Sequence, residues 1–145
     1  MRLSADYRAG AGDLDFDSKA GRAAYLWHHL PAHVCDLTRL FLDVPGVLDD
    51  ERVSLSLVGL GAGPGTEVLA LGEALTRVRA QGGLPELARV SATRVDRHAT
   101  WDASFAALLA AATPMWQQRD PGLGAADGWT LDAPAASVAV DLTGG

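Results

Sequence analysis

The sequence predicts an α/β domain in which helices wind on both sides of a mostly parallel sheet. Short aliphatic stretches alternate with stretches of helical periodicity, and this order calls for parallel strands joined by right-handed crossovers. Aromatic residues make up only 6% of the chain, while alanine, leucine, valine and glycine are common. This composition suits helices on a small aliphatic sheet better than a β-sandwich. The 145 residues provide for one core.

The N-terminal third is predicted to be helical after a short arm. Residues 1–19 mix Gly, Asp and Ser with few apolar anchors, so they predict a flexible arm. Residues 20–145 are predicted to form the domain. Apolar residues recur at helical spacing from Ala20 to Asp43, and Pro31 marks a kink or a boundary between two helices.

Strands and helices then alternate along the chain. Val53–Val58 is predicted as a short buried strand that runs into a group of glycines. A helix follows, then a second strand at Val90–Val95 and a second helix. The apolar faces of these helices consist of Val68, Leu71, Leu75 and Val78 in the first and Trp101, Phe105, Leu108 and Ala112 in the second.

The C-terminal part predicts a loop and two short strands. Residues 114–126 are polar and contain glycine, which favours a loop. Trp129–Leu131 and Ser137–Leu142 are candidate strands, so the sheet is expected to be incomplete, with about four strands. A sheet that ends at residues 137–142 exposes an apolar edge, which natural proteins pair or cover. We therefore expect a second copy or a partner chain there, unless the chain is a truncated part of a longer protein.

The junction between the first strand and its helix is rich in glycine. It reads Gly59-Leu60-Gly61-Ala62-Gly63-Pro64-Gly65-Thr66-Glu67, and glycines permit positive φ and close approach of a ligand to backbone N–H groups. No lysine follows Gly65, which excludes a phosphate-binding Walker loop. A dinucleotide fingerprint needs a small residue where Pro64 or Thr66 stands, so a nicotinamide-binding domain is a remote alternative.

The pattern Gly61-x-Gly63-x-Gly65 after an aliphatic strand resembles motif I of class I S-adenosylmethionine-dependent methyltransferases. The resemblance implies a Rossmann-like fold with S-adenosyl-L-methionine as the cofactor. In that family the loop wraps the methionine part of the cofactor, which would be the role here of Gly59, Gly61, Ala62, Gly63 and Gly65. Family members often carry an acidic residue at the position of Gly59, near the cofactor's amino group, and this chain lacks it.

The same resemblance implies two acidic cofactor ligands. Asp96, with its neighbour Arg97, ends the second strand, where a carboxylate can accept hydrogen bonds from two ribose hydroxyls. Asp132 follows the third strand, at the position that faces the adenine amino group in many relatives. Asp141 ends the last predicted strand and is the one candidate on the catalytic side, although methyl transfer needs a base only if the acceptor must lose a proton.

The resemblance covers residues 20–142 and implies a methyltransferase whose acceptor is unidentified. It reaches only the fourth of the seven strands that the family normally has, so the acceptor half is absent. A non-catalytic or partial S-adenosylmethionine-binding module that needs a partner chain is therefore the alternative. Ala24-Tyr25-Leu26 also resembles methyltransferase-like proteins of the mitochondrial small ribosomal subunit, but their C-terminal cysteine cluster is missing, and no ribosomal role is carried over.

Charge and composition exclude several other functions. A net charge of −6 disfavours autonomous tight binding of nucleic acid. Cys35 is the single cysteine, which excludes an intrachain disulfide and fits the cytoplasm. Pro31 interrupts the helix between His29 and His33, so packing is favoured over a metal site for these histidines. No stretch approaches the roughly 20 apolar residues of a membrane span.

Overall fold

The computed structural model describes Phe16 and residues 18–49 and 51–139. It is an α/β structure with a parallel sheet, as predicted. The helices are α1 (Lys19–His28), α2 (Leu30–Asp43), α3 (Thr66–Ala80) and α4 (Asp102–Arg119), the last preceded by a 3-10 turn at Ala99–Trp101. The strands are β1 (Ser54–Leu60), β2 (Arg89–Val95) and β3 (Thr130–Asp132). Most of the predicted arm, residues 1–19, lies outside the described residues.

The helical lead-in divides at the predicted place. Ser18 caps α1 by accepting a hydrogen bond from the backbone N–H of Gly21 at 3.0 Å. Pro31 stands in the first turn of α2, where its missing N–H costs no intrahelical hydrogen bond and its fixed φ suits the helix. The boundary between the helices therefore lies at His29, two residues before the proline.

The three strands lie in the order β1-β2-β3, all parallel. β1 and β2 pair along their whole length, from Ser54 opposite Arg89 to Leu60 opposite Val95. β3 is short and pairs only with the beginning of β2. Helix α3 connects β1 to β2 and helix α4 connects β2 to β3. This arrangement is consistent with a small and incomplete Rossmann-like fold.

Helices cover one face of the sheet. Leu55 and Leu57 of β1 pack with Val90 of β2 in a core to which all four helices contribute, while the alternate residues of β1 are exposed. On the exposed face, Ser56 and Ser91 hydrogen-bond through their hydroxyls at 3.0 Å. In the described part of the chain no helix covers the exposed face, on which Val58 and Leu60 lie open as well as the serines. The predicted winding of helices on both faces is therefore not found there.

The predicted loop at residues 114–126 begins later than expected, at residue 120. Helix α4 continues through Pro114 to Arg119. The continuation is explained by Trp116, which is 3% exposed and lies against α3 so closely that a Cβ at Gly72 would stand 2.4 Å from its ring. Burial of this ring on the opposite helix outweighs the hydrogen bond that the proline removes.

The predicted fourth strand is reduced to one bridge within the described residues. Val138 pairs in parallel with Val95, its N–H donating to the carbonyl of Arg94 at 2.8 Å. It therefore lies on the same side of β2 as β3, so no described strand pairs with the outer edge of β1. Residues 140–142 of the predicted strand lie outside the described residues. In the part of the chain that is described, no helix combines the length and apolarity needed to cross a membrane.

Candidate functional site

The glycine loop joins the carboxyl end of β1 to the first turn of α3. Gly61, Gly63 and Gly65 adopt positive φ angles of 63°, 47° and 78°, a region that residues with a side chain enter at a cost. The turn is closed by the N–H of Gly65, which donates to the carbonyl of Ala62 at 2.8 Å. The repeated glycines are thus required by the backbone conformation of the loop.

Asp96 fastens this loop to the end of β2. One oxygen of its carboxylate, Oδ2, accepts the N–H of Gly63 at 2.6 Å, and the other, Oδ1, accepts the N–H of His98 at 2.8 Å. Asp96 is only 8% exposed. A carboxylate oxygen can accept more than one hydrogen bond, so each oxygen keeps capacity for a ligand hydroxyl while it positions the loop.

Arg94 supports the loop from below. It is 2% exposed, and its guanidinium donates to the carbonyl of Gly63 at 2.9 Å, to Asp102 Oδ1 at 2.7 Å and to the carbonyl of Ala135. Its Cζ also stands 4.0 Å from the centre of the Phe105 ring. Burial alone would raise the pKa of Asp102, but hydrogen bonds from Arg94 and Ser137 lower it. The arginine thus ties three distant segments together.

A cleft of about 840 Å³ opens beside the loop, a size typical of small-molecule sites. Its floor consists of the glycine loop and the end of β2. Its opposite wall is aromatic, with the Tyr25 and Trp101 ring centres 5.5 Å apart and the Phe16 and Trp101 centres 5.6 Å apart. His33 joins this wall through a contact of 3.3 Å between its Nδ1 and the Tyr25 hydroxyl. The wall therefore offers flat, apolar surfaces to a planar ring.

The charge lining the cleft is mainly negative. Three carboxylates, those of Asp36, Glu67 and Asp96, line it together with one arginine, Arg97. Burial raises the pKa of Glu67, its own backbone N–H lowers it, and the nearby charge of Asp96 raises it further. Glu67 Oε2 is buried and has no hydrogen-bond partner among the described residues. A buried carboxylate oxygen without a donor favours a ligand group that is positively charged or donates a hydrogen bond.

The structure brings most of the predicted cofactor residues together. Gly61, Ala62, Gly63, Asp96 and Arg97 line the cleft. Gly59 and Gly65 lie beneath the loop as buried support. At Gly65 a Cβ would stand 2.2 Å from the Phe105 ring, and at Gly59 it would stand 3.1 Å from the Cβ of Ala62.

Asp132 is not part of this site. It pairs opposite Ser91, four residues before the end of β2, which places it roughly 13 Å from the carboxyl end of the sheet. Its carboxylate is exposed and lies 3.4 Å from the guanidinium of Arg89. The structure therefore places Asp132 outside the cleft, because β3 pairs with the beginning of β2. Asp141, the catalytic candidate, lies outside the described residues.

Sequence reasoning missed Arg94, Glu67 and Tyr25 as residues of the site. A signal existed for Arg94, since it alternates with Val90 and Ala92 and therefore shares the buried face of β2. Trp101, which the sequence placed on the apolar face of a helix, also lines the cleft. Among the described residues no group of His, Cys, Asp or Glu side chains is placed to hold a metal ion.

Comparison of the chain with protein-family models, with curated proteins and with solved structures yields no match. The function must therefore be inferred from the site itself.

Proposed function

We propose that the chain binds S-adenosyl-L-methionine in the cleft beside the glycine loop and is the cofactor-binding part of a methyltransferase. The observation that carries this proposal is the hydrogen bond between Asp96 and a loop that contains three glycines with positive φ. Both lie at the carboxyl ends of two adjacent parallel strands. Ligands of open α/β sheets bind at these ends. Bound there, the cofactor would supply a methyl group activated by its sulfonium.

The charge of the cleft favours this cofactor over a dinucleotide. Three carboxylates and one arginine line it, so a pyrophosphate would be repelled, whereas a ligand with sulfonium and ammonium groups would be attracted. The aromatic wall provides surfaces against which adenine can stack. Asp96 retains acceptor capacity for ribose hydroxyls. A nicotinamide cofactor fits this lining less well, and its affinity is therefore compared with that of the adenosyl ligands.

Catalysis requires an acceptor held in line with the transferred methyl group. The outer edge of β1 has no described neighbour, which supports the alternative of a module completed by a partner chain or a second copy. The identity of the methyl acceptor then depends on that completing part.

The proposal is tested by titration calorimetry of the purified chain with S-adenosylmethionine, S-adenosylhomocysteine and reduced nicotinamide cofactor. The blocking variant is Gly63→Asp, because a Cβ at Gly63 points toward the indole of Trp101 at 3.9 Å, across the cleft. Gly82→Asp is the matched control. Gly82 also has a positive φ, of 85°, and open space around it. The control variant therefore introduces the same charge and a similar backbone strain at a position away from the cleft.

Saturable binding of the two adenosyl ligands, lost in Gly63→Asp and kept in Gly82→Asp, is the expected result. Binding of the nicotinamide cofactor alone would replace the proposal by the dinucleotide alternative. A folded protein that binds none of the three ligands would refute the proposal. Mixing the chain with candidate partners and labelled cofactor then separates a methyltransferase from a module without turnover.

A further inference from the structure

The carboxylate of Glu67 lies beside a position that has no side chain. Glu67 is the second residue of α3 and lines the cleft. Its Oε2 lies 3.4 Å from the point at which a Cβ of Gly59 would stand. The carboxylate therefore extends from the helix into the space beside β1 and the loop.

This carboxylate is not neutralised by the described part of the chain. Among the described residues, its Oε2 finds no hydrogen-bond donor, and the ion pairs between them do not include Glu67. The neighbouring groups that act on it are Asp96, which repels it, and Arg94 and His33, which attract it. The guanidinium of Arg94 is engaged with Gly63, Asp102 and Ala135. Burying an unpaired acid is costly, so such an acid is retained where a ligand pairs with it.

The cofactor proposed above has two cationic groups that differ in their hydrogen bonding. Its sulfonium carries no N–H or O–H, whereas the ammonium of its amino-acid part carries three N–H donors. An unsatisfied carboxylate oxygen is paired by a group that both opposes its charge and donates a hydrogen bond. The terminal bond of a glutamate rotates readily, so either oxygen of Glu67 can be presented to the cleft.

We infer that Glu67 binds the ammonium group of the ligand's amino-acid part. This inference rests on the proposed function. It gives helix α3 a direct role in recognition, with the charge coming from its first turn and the backbone donors from the loop that precedes it. It also explains how a chain with glycine at position 59 can still bind an amino-acid ammonium.

Three ligands and one substitution test the inference. S-adenosylhomocysteine has the amine and the carboxylate, its decarboxylated analogue keeps only the amine, and methylthioadenosine has neither. Their dissociation constants are measured by calorimetry for the wild type, for Glu67→Gln and for the control Glu86→Gln, which removes an exposed carboxylate from the turn after α3. Glutamine preserves the size of the side chain and removes its charge.

Glu67→Gln is expected to weaken both amine-bearing ligands by roughly tenfold, the cost of a lost charge-assisted hydrogen bond. Methylthioadenosine should change by less than about twofold, and Glu86→Gln should change nothing. The wild type alone provides a second test, because the decarboxylated analogue should bind it more tightly than methylthioadenosine. This comparison does not depend on the folding of any variant.

Equal weakening of all three ligands, together with a loss of stability, would show that Glu67 serves Arg94 and the loop rather than the ligand. An unchanged affinity for both amine-bearing ligands would likewise overturn the inference, while binding of methylthioadenosine would leave the proposed function standing. If a folded wild type binds no adenosyl ligand at all, the proposed function and the inference fail together.

Discussion

The two ends of β2 each carry an arginine that faces an aspartate, yet the two pairs differ in every physical respect. At the carboxyl end, the side chain of Arg94 is 1% exposed and lies 2.7 Å from Asp102. At the amino end, Arg89 is 67% exposed and lies 3.4 Å from Asp132. Ion pairs in water contribute little to stability, whereas a buried charge that loses its partner is costly.

The buried polar interactions of β2 are concentrated at its carboxyl end. The carboxyl end uses a buried cation, an anchored carboxylate and three glycines with positive φ to hold one loop against the sheet. The amino end has a polar, solvated surface of serines and an exposed ion pair. An arrangement of buried charges is difficult to maintain without a function, so the difference itself directs attention to the loop and the cleft.

The largest effect is expected at Gly65. Its φ is 78°, and an added Cβ would overlap the buried Phe105 ring at 2.2 Å. Gly65→Ala should therefore lower the free energy of unfolding by roughly 4 kcal/mol, through overpacking and backbone strain together. Urea denaturation gives the value. Gly82→Ala, at an equally positive φ in open space, should cost only about 1 kcal/mol, and equal losses at the two sites would contradict the packing explanation.

Arg94→Met should cost about 3 kcal/mol, because Asp102 loses its cationic partner and the carbonyl of Gly63 loses its donor, while the apolar contact with Phe105 is preserved. The same substitution at Arg89 should change stability by less than about 0.5 kcal/mol. Urea midpoints for the two variants measure the contrast between the ends of β2 directly. Similar losses would show that the burial of Arg94 has no energetic consequence.

Glu67→Gln should stabilise the ligand-free protein. Burial raises the pKa of Glu67 above its ordinary value of 4.5, so the folded chain holds this proton more tightly than the unfolded chain. Wild-type stability therefore falls as the pH rises from about 4.5 through the folded pKa. The variant, which has no such group, should exceed the wild type at pH 7.5 by on the order of 1 kcal/mol.

Thermal unfolding of the two proteins at pH 4 and at pH 7.5 measures this difference. The advantage of the variant should shrink at the acidic pH, where Glu67 is protonated in both states. Glu86→Gln should show no such dependence. An advantage that grows toward acid would mean that Glu67 is paired in the ligand-free protein.

The smallest effect is expected at Asp132. Its side chain is 58% exposed, and it lies away from the cleft. Asp132→Ala should change the free energy of unfolding by less than about 0.5 kcal/mol and leave the affinity for S-adenosylhomocysteine unchanged. Asp96→Ala, which removes the acceptor for two backbone N–H groups, should impair both. A loss of affinity in Asp132→Ala would instead indicate that Asp132 contacts the adenine, as the sequence predicts.

The parts of the fold that sequence reasoning found are those with local signals. The strand predicted at Val53–Val58 is β1 at Ser54–Leu60, and the one predicted at Val90–Val95 is β2 at Arg89–Val95. Glycine spacing and the acid at the end of β2 are also local, and the loop and Asp96 do lie at one cleft.

The features that it missed depend on contacts between distant segments. The register of β3 decides the place of Asp132, and no local pattern sets it. Helix α4 continues past Pro114 because Trp116 packs on α3. Glu67 is a polar residue in the first turn of a helix, as many exposed residues are, and only its position beside Gly59 makes it part of the cleft.

The hydrogen bond from the N–H of Gly63 to Asp96 spans 33 residues of sequence. An amide held in this way exchanges its proton with solvent only when β1 and β2 separate, or when the loop detaches from the sheet. The exchange rate of this single amide therefore reports whether the loop is already shaped before any ligand arrives.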